Sequence, residues 1–275
     1  KVDMTHNKCC RHGANLRRRR RRRRKILRSI IFSYSIIAVA VFVAVGSSMI
    51  RSGDGRKNRY DVEAGNNTYD NAVIENSKIS EKNKIQNNQS MLDDIMNSTQ
   101  YPKQLKDLAL KNEEALEFVY DYPAEHVKEH TIDLTEEASM DSVPLFVQWD
   151  KRWGYEKYSG NFFAASGCGP TTLSMVVVYL THNREASPIA VAKYSKEAGY
   201  SVDGSGSSWT LISEGCMHYG VKAKAVALDE SRMKAELDEG HPIVVNVGPG
   251  DFTDTGHFMV ITGYDDEGFS INDPN

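Results

Sequence analysis

At 275 residues the chain has room for one good-sized domain with extensions, or for two domains at most. Residues 1–50 carry thirteen Lys and Arg against the single acid Asp3, which leaves 21 basic and 36 acidic residues in 51–275. The net charge of −3 therefore averages a basic tail and an acidic remainder; nucleic acid or an acidic surface could attract the tail, but the sequence that follows it argues for another reading. The four cysteines form no obvious disulfide framework.

Arg17 to Arg24 is an unbroken run of eight arginines. Lys25 and Arg28 then lead into IIFSYSIIAVAVFVAVGSSMI, Ile30 to Ile50, which holds no charged residue. As a helix those 21 residues would span ~30 Å, the thickness of a bilayer core. The block of positive charge before them reads as a cytoplasmic flank. The expectation is a cytoplasmic tail over 1–28 and a transmembrane helix or signal anchor over 29–50, with the C-terminal part outside. A cleaved signal peptide, processed near Ala44 and Gly46, leaves the remainder on the same side.

From Arg51 to about residue 100 the chain is rich in Asn, Lys, Glu and Ser and poor in apolar clusters, so a solvated polar stalk is expected, with some helix around Met91 to Met96. Order is expected from Tyr101. Pro102 suits a first helical position, and Leu105, Leu108, Ala109, Ala115, Leu116 and Val119 recur at helical spacing until Pro123. VPLFVQWDKRWGY has extended and aromatic character. A largely buried helix follows from the SGCGPTTLSMVVVYL block, with Pro170 in its first turn. GSGSS reads as a turn, Trp209 to His218 as a helix capped by Gly220, and VKAKAVAL as a strand. Asp229 is placed to cap an amphipathic helix that Gly240 ends. IVVNV, HFMVITGY and FSIND then read as strands joined by turns. Helices first and strands later is an α+β pattern.

Three residues at element ends carry the chemistry. Cys168 starts a helix, where free amides and the helix dipole favour a thiolate. His257 opens the strand HFMVITGY, and Asp273 ends the next. If 257–264 and 269–273 form a hairpin, Asp273 returns beside His257 and accepts its second ring N–H, fixing the tautomer that draws the thiol proton. Each residue alone reads as easily as structural: a core cysteine, a turn-capping histidine, an Asp-Pro turn. Cys216 reads as a buried small hydrophobe, and an external bridge to Cys168 is open in principle. Cys216 and His218 with Cys168 and His257 offer four zinc ligand types, but positions two apart on a helix point different ways.

VPLFVQWDKRWGY, SGCGPTTLSMVV and GHFMVITGYDDEGFSINDPN, in that order, resemble the C39-like cysteine peptidases of papain-like fold. YPKQLKDLALKNEEALEFVYDYP resembles the helical lead-in of bacterial members, so the resemblance covers about 101–275. It implies a papain-like α+β domain with its N-terminal helical part packed on an antiparallel sheet. It also implies Cys168 as nucleophile, His257 as general base and acid, Asp273 as orienting residue, and Gln148 as a donor to the oxyanion. Related chains usually continue past DPN with a segment that closes the domain. No cofactor or metal is expected. The expected partner is a peptide or protein substrate, cleaved through an acyl-enzyme outside the cytoplasm. Two rival readings are a cell-wall peptide hydrolase, amidase or transpeptidase using the same triad, and a surface binding module without turnover.

Overall fold

A computed structural model describes residues 67–275, with side chains described from Lys82 onward. The arginine run and the apolar segment 29–50 lie outside the described residues. Among those described, no helix is long and apolar enough to cross a membrane. The first element falls within the expected stalk and is more helical than the sequence suggested: helix α1 runs from Asn67 to Asn97. No Gly or Pro interrupts that stretch. Its last turns find packing that sequence alone did not disclose, with Ile95 fully buried and Met91 and Leu92 against the same cluster.

Helix α2 (Lys103–Lys111) follows, with Pro102 just before it as the cap residue rather than in its first turn. The helical spacing predicted continuation to Pro123, but the helix stops at Asn112, whose backbone is extended (φ −131°, ψ 100°). The Asn112 side chain accepts the Glu114 amide at 3.0 Å and starts a new 3₁₀ turn, Glu113–Ala115. An asparagine that bonds nearby backbone competes with the helix ladder in this way. Helix α3 (Leu116–Tyr120) and helix α4 (Tyr122–Glu125) follow, and Pro123 lies within the first turn of α4 instead of ending the pattern. Leu105, Leu108, Leu116, Phe118 and Val119 join Ile95, Phe162 and Ala164 in one apolar cluster that ties this helical part to the rest of the molecule.

After helix α5 (Thr135–Ala138), residues 143–149 run without strand structure. Their extended character is held by single bonds: Asn272 Nδ2 donates to the carbonyls of Val143 and Pro144, and the Gln148 amide donates to Pro274 O at 2.7 Å. A two-residue hairpin, β1 (Lys157–Tyr158) and β2 (Asn161–Phe162), leads through helix α6 (Phe163–Ser166) into helix α7 (Cys168–Thr181). Every residue of α7 from Gly169 to Val178 is buried. Each large apolar side chain there contributes roughly 1.5–3 kcal/mol over an exposed one. Helix α8 (Pro188–Glu197) is capped by Ser187. The hairpin β3 (Ser201–Val202) and β4 (Gly206–Ser207) closes over the start of α7.

The helix expected over 209–218 is split into α9 (Thr210–Ser213) and a 3₁₀ turn (Gly215–Tyr219), with Gly215 at the break and Gly220 (φ +76°) capping the end. Residues 221–228, expected as a strand, form none. Most of them are exposed, and β5, the edge they would have to pair with, carries no such partner. Asp229 caps helix α10 (Glu230–Asp238) by accepting the Arg232 amide at 3.0 Å.

Strands β5 (Ile243–Val247), β6 (His257–Asp265) and β7 (Gly268–Asn272) form an antiparallel sheet in that order. β6 is central, and its alternate residues serve two cores. Phe258 and Val260 pack with α7, while Met259 and Ile261 pack with Met233 of α10, Ile243 and Ile271. Burial on both faces explains an uninterrupted apolar run in place of alternation. The result is an α+β fold of helices with small antiparallel sheets.

Candidate active site

Cys168 is the first residue of α7 and is half-buried. The turn before it is held on both sides: Gly167 N donates to Phe163 O at 2.8 Å, and Thr171 returns both its amide and its hydroxyl to Gly167 O. The first amides of a helix have no partner inside it, so that end is rich in donors. Gly169 sets a hard limit on the packing next to the sulfur. A Cβ there would stand 2.6 Å from Ser207 Oγ and 2.7 Å from Ser207 Cβ, so β4 presses directly on the helix start. Ser207 is itself pinned by the Tyr158 hydroxyl at 2.6 Å, which also meets Ser195 at 2.8 Å. Burial pushes the Tyr158 phenol up, although its hydroxyl partners oppose the shift.

His257 enters from the opposite element, as the first residue of β6, and is buried. Its Nε2 lies 2.7 Å from Asp273 Oδ1, just past β7. Cys168 is close enough to act on the ring as well, and like Asp273 it favours the charged imidazole. Burial works against the charged imidazole, but the bond to Asp273 and then the nearness of Cys168 outweigh it. The His257 pKa is raised from 6.5 to about 10. Asp273 Oδ1 also accepts the backbone amide of Asn275 at 2.9 Å, so the carboxylate that holds the imidazole is itself held. Beside His257, Phe258 is covered by the half-exposed Trp209 ring, stacked at 5.6 Å between centroids.

Gln148 is buried on the segment strapped to β7. Its Nε2 donates to Asn275 Oδ1 at 3.4 Å, and its Oε1 has no hydrogen-bond partner. Thus His257 and Asp273 are hydrogen-bonded, Gln148 joins Asp273 through Asn275, and Cys168 lies near enough to His257 to affect its charge.

Cys216 is buried and, like Cys168, free. His218 stacks on Tyr194 at 4.1 Å. Among the described residues Glu236, Glu239 and His241 bring three ligand atoms close together on the surface, but Lys224 already neutralises Glu236 at 2.8 Å.

Sequence reasoning missed the supporting residues. Asn112, Asn272 and Asn275 each place a buried or half-buried amide against the site segments, and Tyr158 and Ser207 brace the helix start. One signal was present for Asn112, a lone asparagine interrupting an otherwise helical apolar spacing.

Residues 140–275 match the model of the Peptidase_C39 like family. With the fold, the match supports a C39-like peptidase domain over these residues, in an α+β arrangement consistent with a papain-like one. The lead-in 101–139 lies outside the matched stretch. No curated protein and no solved structure matches the chain.

Proposed function

We propose that the chain hydrolyses peptide bonds on the extracytoplasmic side of a membrane, with Cys168 as nucleophile. The observation that carries this reading is His257, bonded through Nε2 to Asp273 at 2.7 Å, with Cys168 among the groups that raise its pKa. A raised imidazole pKa favours the imidazolium, which stabilises a neighbouring thiolate. The thiolate adds to the scissile carbonyl, and the developing oxyanion is met by Gln148 Nε2 and an amide at the start of α7. His257 then gives its proton to the leaving amine as the C–N bond breaks. Water, deprotonated by the same imidazole, releases the acid from the thioester. Asp273 keeps the ring in register and its charge balanced. The placement outside rests on the arginine-flanked apolar run over 29–50.

A diverse peptide and muropeptide mixture, given to intact cells carrying the full chain and to detergent extracts of them, tests both halves. New products are expected from both preparations and from neither with Cys168→Ala. Products from extracts alone would overturn the external placement, and none from either would overturn hydrolysis. Muropeptide products alone would assign cell-wall peptide as the substrate.

A further inference from the structure

We propose that Asn112 is a positioning residue of the site: through Asn275 it sets which end of the Gln148 amide faces the Asp273 side. The proposal rests on the reading of Cys168 and Gln148 given above.

The order of donors and acceptors leaves little choice. The Glu114 backbone amide can only donate, so the Asn112 atom it meets at 3.0 Å must be Oδ1. Nδ2 of Asn112 is thereby turned to Asn275, 3.2 Å away, and a donor there requires that Asn275 present Oδ1. The same Asn275 oxygen takes Gln148 at 3.4 Å, so Gln148 must present Nε2 and turn Oε1 away. That Oε1 is buried without a partner. Gln148 thus gives up satisfaction of its oxygen while its nitrogen stays on Asn275, whose backbone amide holds Asp273. A reversed amide would set oxygen against oxygen at Asn275. The origin of this chain, a backbone amide in the 3₁₀ turn after α2, lies in the helical lead-in and outside the family-matched residues 140–275. The lead-in therefore contributes a working part of the site, in addition to its apolar packing.

Asn112→Asp separates this role from a structural one. Aspartate keeps the cap on Glu114 N, since both residues cap well. Its second oxygen, in place of Nδ2, forces Asn275 to present its own Nδ2 and Gln148 to present Oε1. One substitution turns two amides.

Two probes applied to the full chain read the result. Iodoacetamide alkylates the Cys168 sulfur by displacement and forms no oxyanion. Acetylation by p-nitrophenyl acetate passes through a tetrahedral oxyanion before p-nitrophenolate leaves. Cys168 reactions are isolated by mass spectrometry and by subtraction of Cys168→Ala. Asn112→Asp is expected to slow acetylation about tenfold or more while leaving the alkylation rate and its pH profile unchanged. Gln148→Ala should slow acetylation at least as much, and adding Asn112→Asp to it should cost nothing further, as expected when one residue acts through the other. Acetylation within twofold of wild type in Asn112→Asp would overturn the proposal. So would equal slowing of both probes, or full additivity with Gln148→Ala. If wild-type Cys168 alkylates no faster than in His257→Ala, the Cys168–His257 reading itself fails, and the positioning role falls with it.

Discussion

His257 and Gln148 are both buried polar side chains close to the end of β7, yet their surroundings differ. The imidazole is bonded through Nε2 to Asp273, and that carboxylate is held in turn by the Asn275 amide. The Gln148 amide has one long bond from its nitrogen and none to its oxygen. A saturated pair is stable before substrate arrives. The unpartnered oxygen can only accept, so the donor that Gln148 keeps for an incoming group is the second N–H of its Nε2. On the proposed reading the two sides divide the work: one is completed by folding, and the other keeps a donor for the transition state, where it acts most strongly on rate.

Replacing Gln148 and Asp273 by leucine, one at a time, should break this contrast most visibly. Gln148→Leu is expected to slow acylation of Cys168 by about 100-fold or more. It should change stability by less than about 1 kcal/mol, because little native bonding is lost. Asp273→Leu should slow the reaction as well, but also destabilise the fold by about 1–3 kcal/mol, since it strands a buried ring that prefers a proton. Urea midpoints beside p-nitrophenyl acetate rates check both. Equal stability losses in the two variants would remove the distinction between the sides.

A pH series sharpens it further. The raised His257 pKa means that the folded state holds a proton more tightly than the unfolded chain. Its contribution to stability is full below about pH 6.5 and is lost as pH rises through about 10. The urea midpoint of wild type is therefore expected to exceed that of His257→Gln at pH 6 and to converge on it across that window. A difference that grows with pH would contradict the charged ring.

The smallest effect is expected one residue from Asn112. Lys111 reaches Asp254, in the loop before β6, at 3.2 Å, but both side chains are largely exposed. Asp254→Asn should move stability by no more than ~1 kcal/mol and leave Cys168 acylation unchanged, as surface pairs usually do. A rate loss comparable to that of Asn112→Asp would show the lead-in acting through charge as well as through amide orientation.

Much of this arrangement was legible in the chain. The strands of the sheet, the Asp229 cap and the start of α7 at Cys168 follow from local patterns: apolar runs, a capping residue and a Gly-Pro turn. The hairpin placing Asp273 beside His257 followed from the spacing of two strands. What escaped was settled by partners distant in sequence. The apolar alternation of 221–228 looks like a strand but has no edge to join. The polar run over 67–97 gives no sign of how far its helix extends, or that Ile95 packs with α2 and α3. Helical spacing carries straight past Asn112, because no periodicity can reveal that its amide bonds a residue 163 positions away. Gln148 is similar: composition gives it no prominence, and its strap to Pro274 and Asn275 exists only in the folded chain.

The contact between Gly169 and Ser207 has a consequence for how this domain can vary. Alanine at 169 collides with the serine Cβ, not with a flexible tip, so no rotamer change relieves it. Glycine at 207 makes the room at the cost of the Tyr158 bond, and only then does alanine fit beside the nucleophile. The two substitutions therefore have a direction in time. A lineage or a mutant library can pass through Ser207→Gly first, but not through Gly169→Ala, and single-site scans would record position 169 as closed when it is only locked behind another.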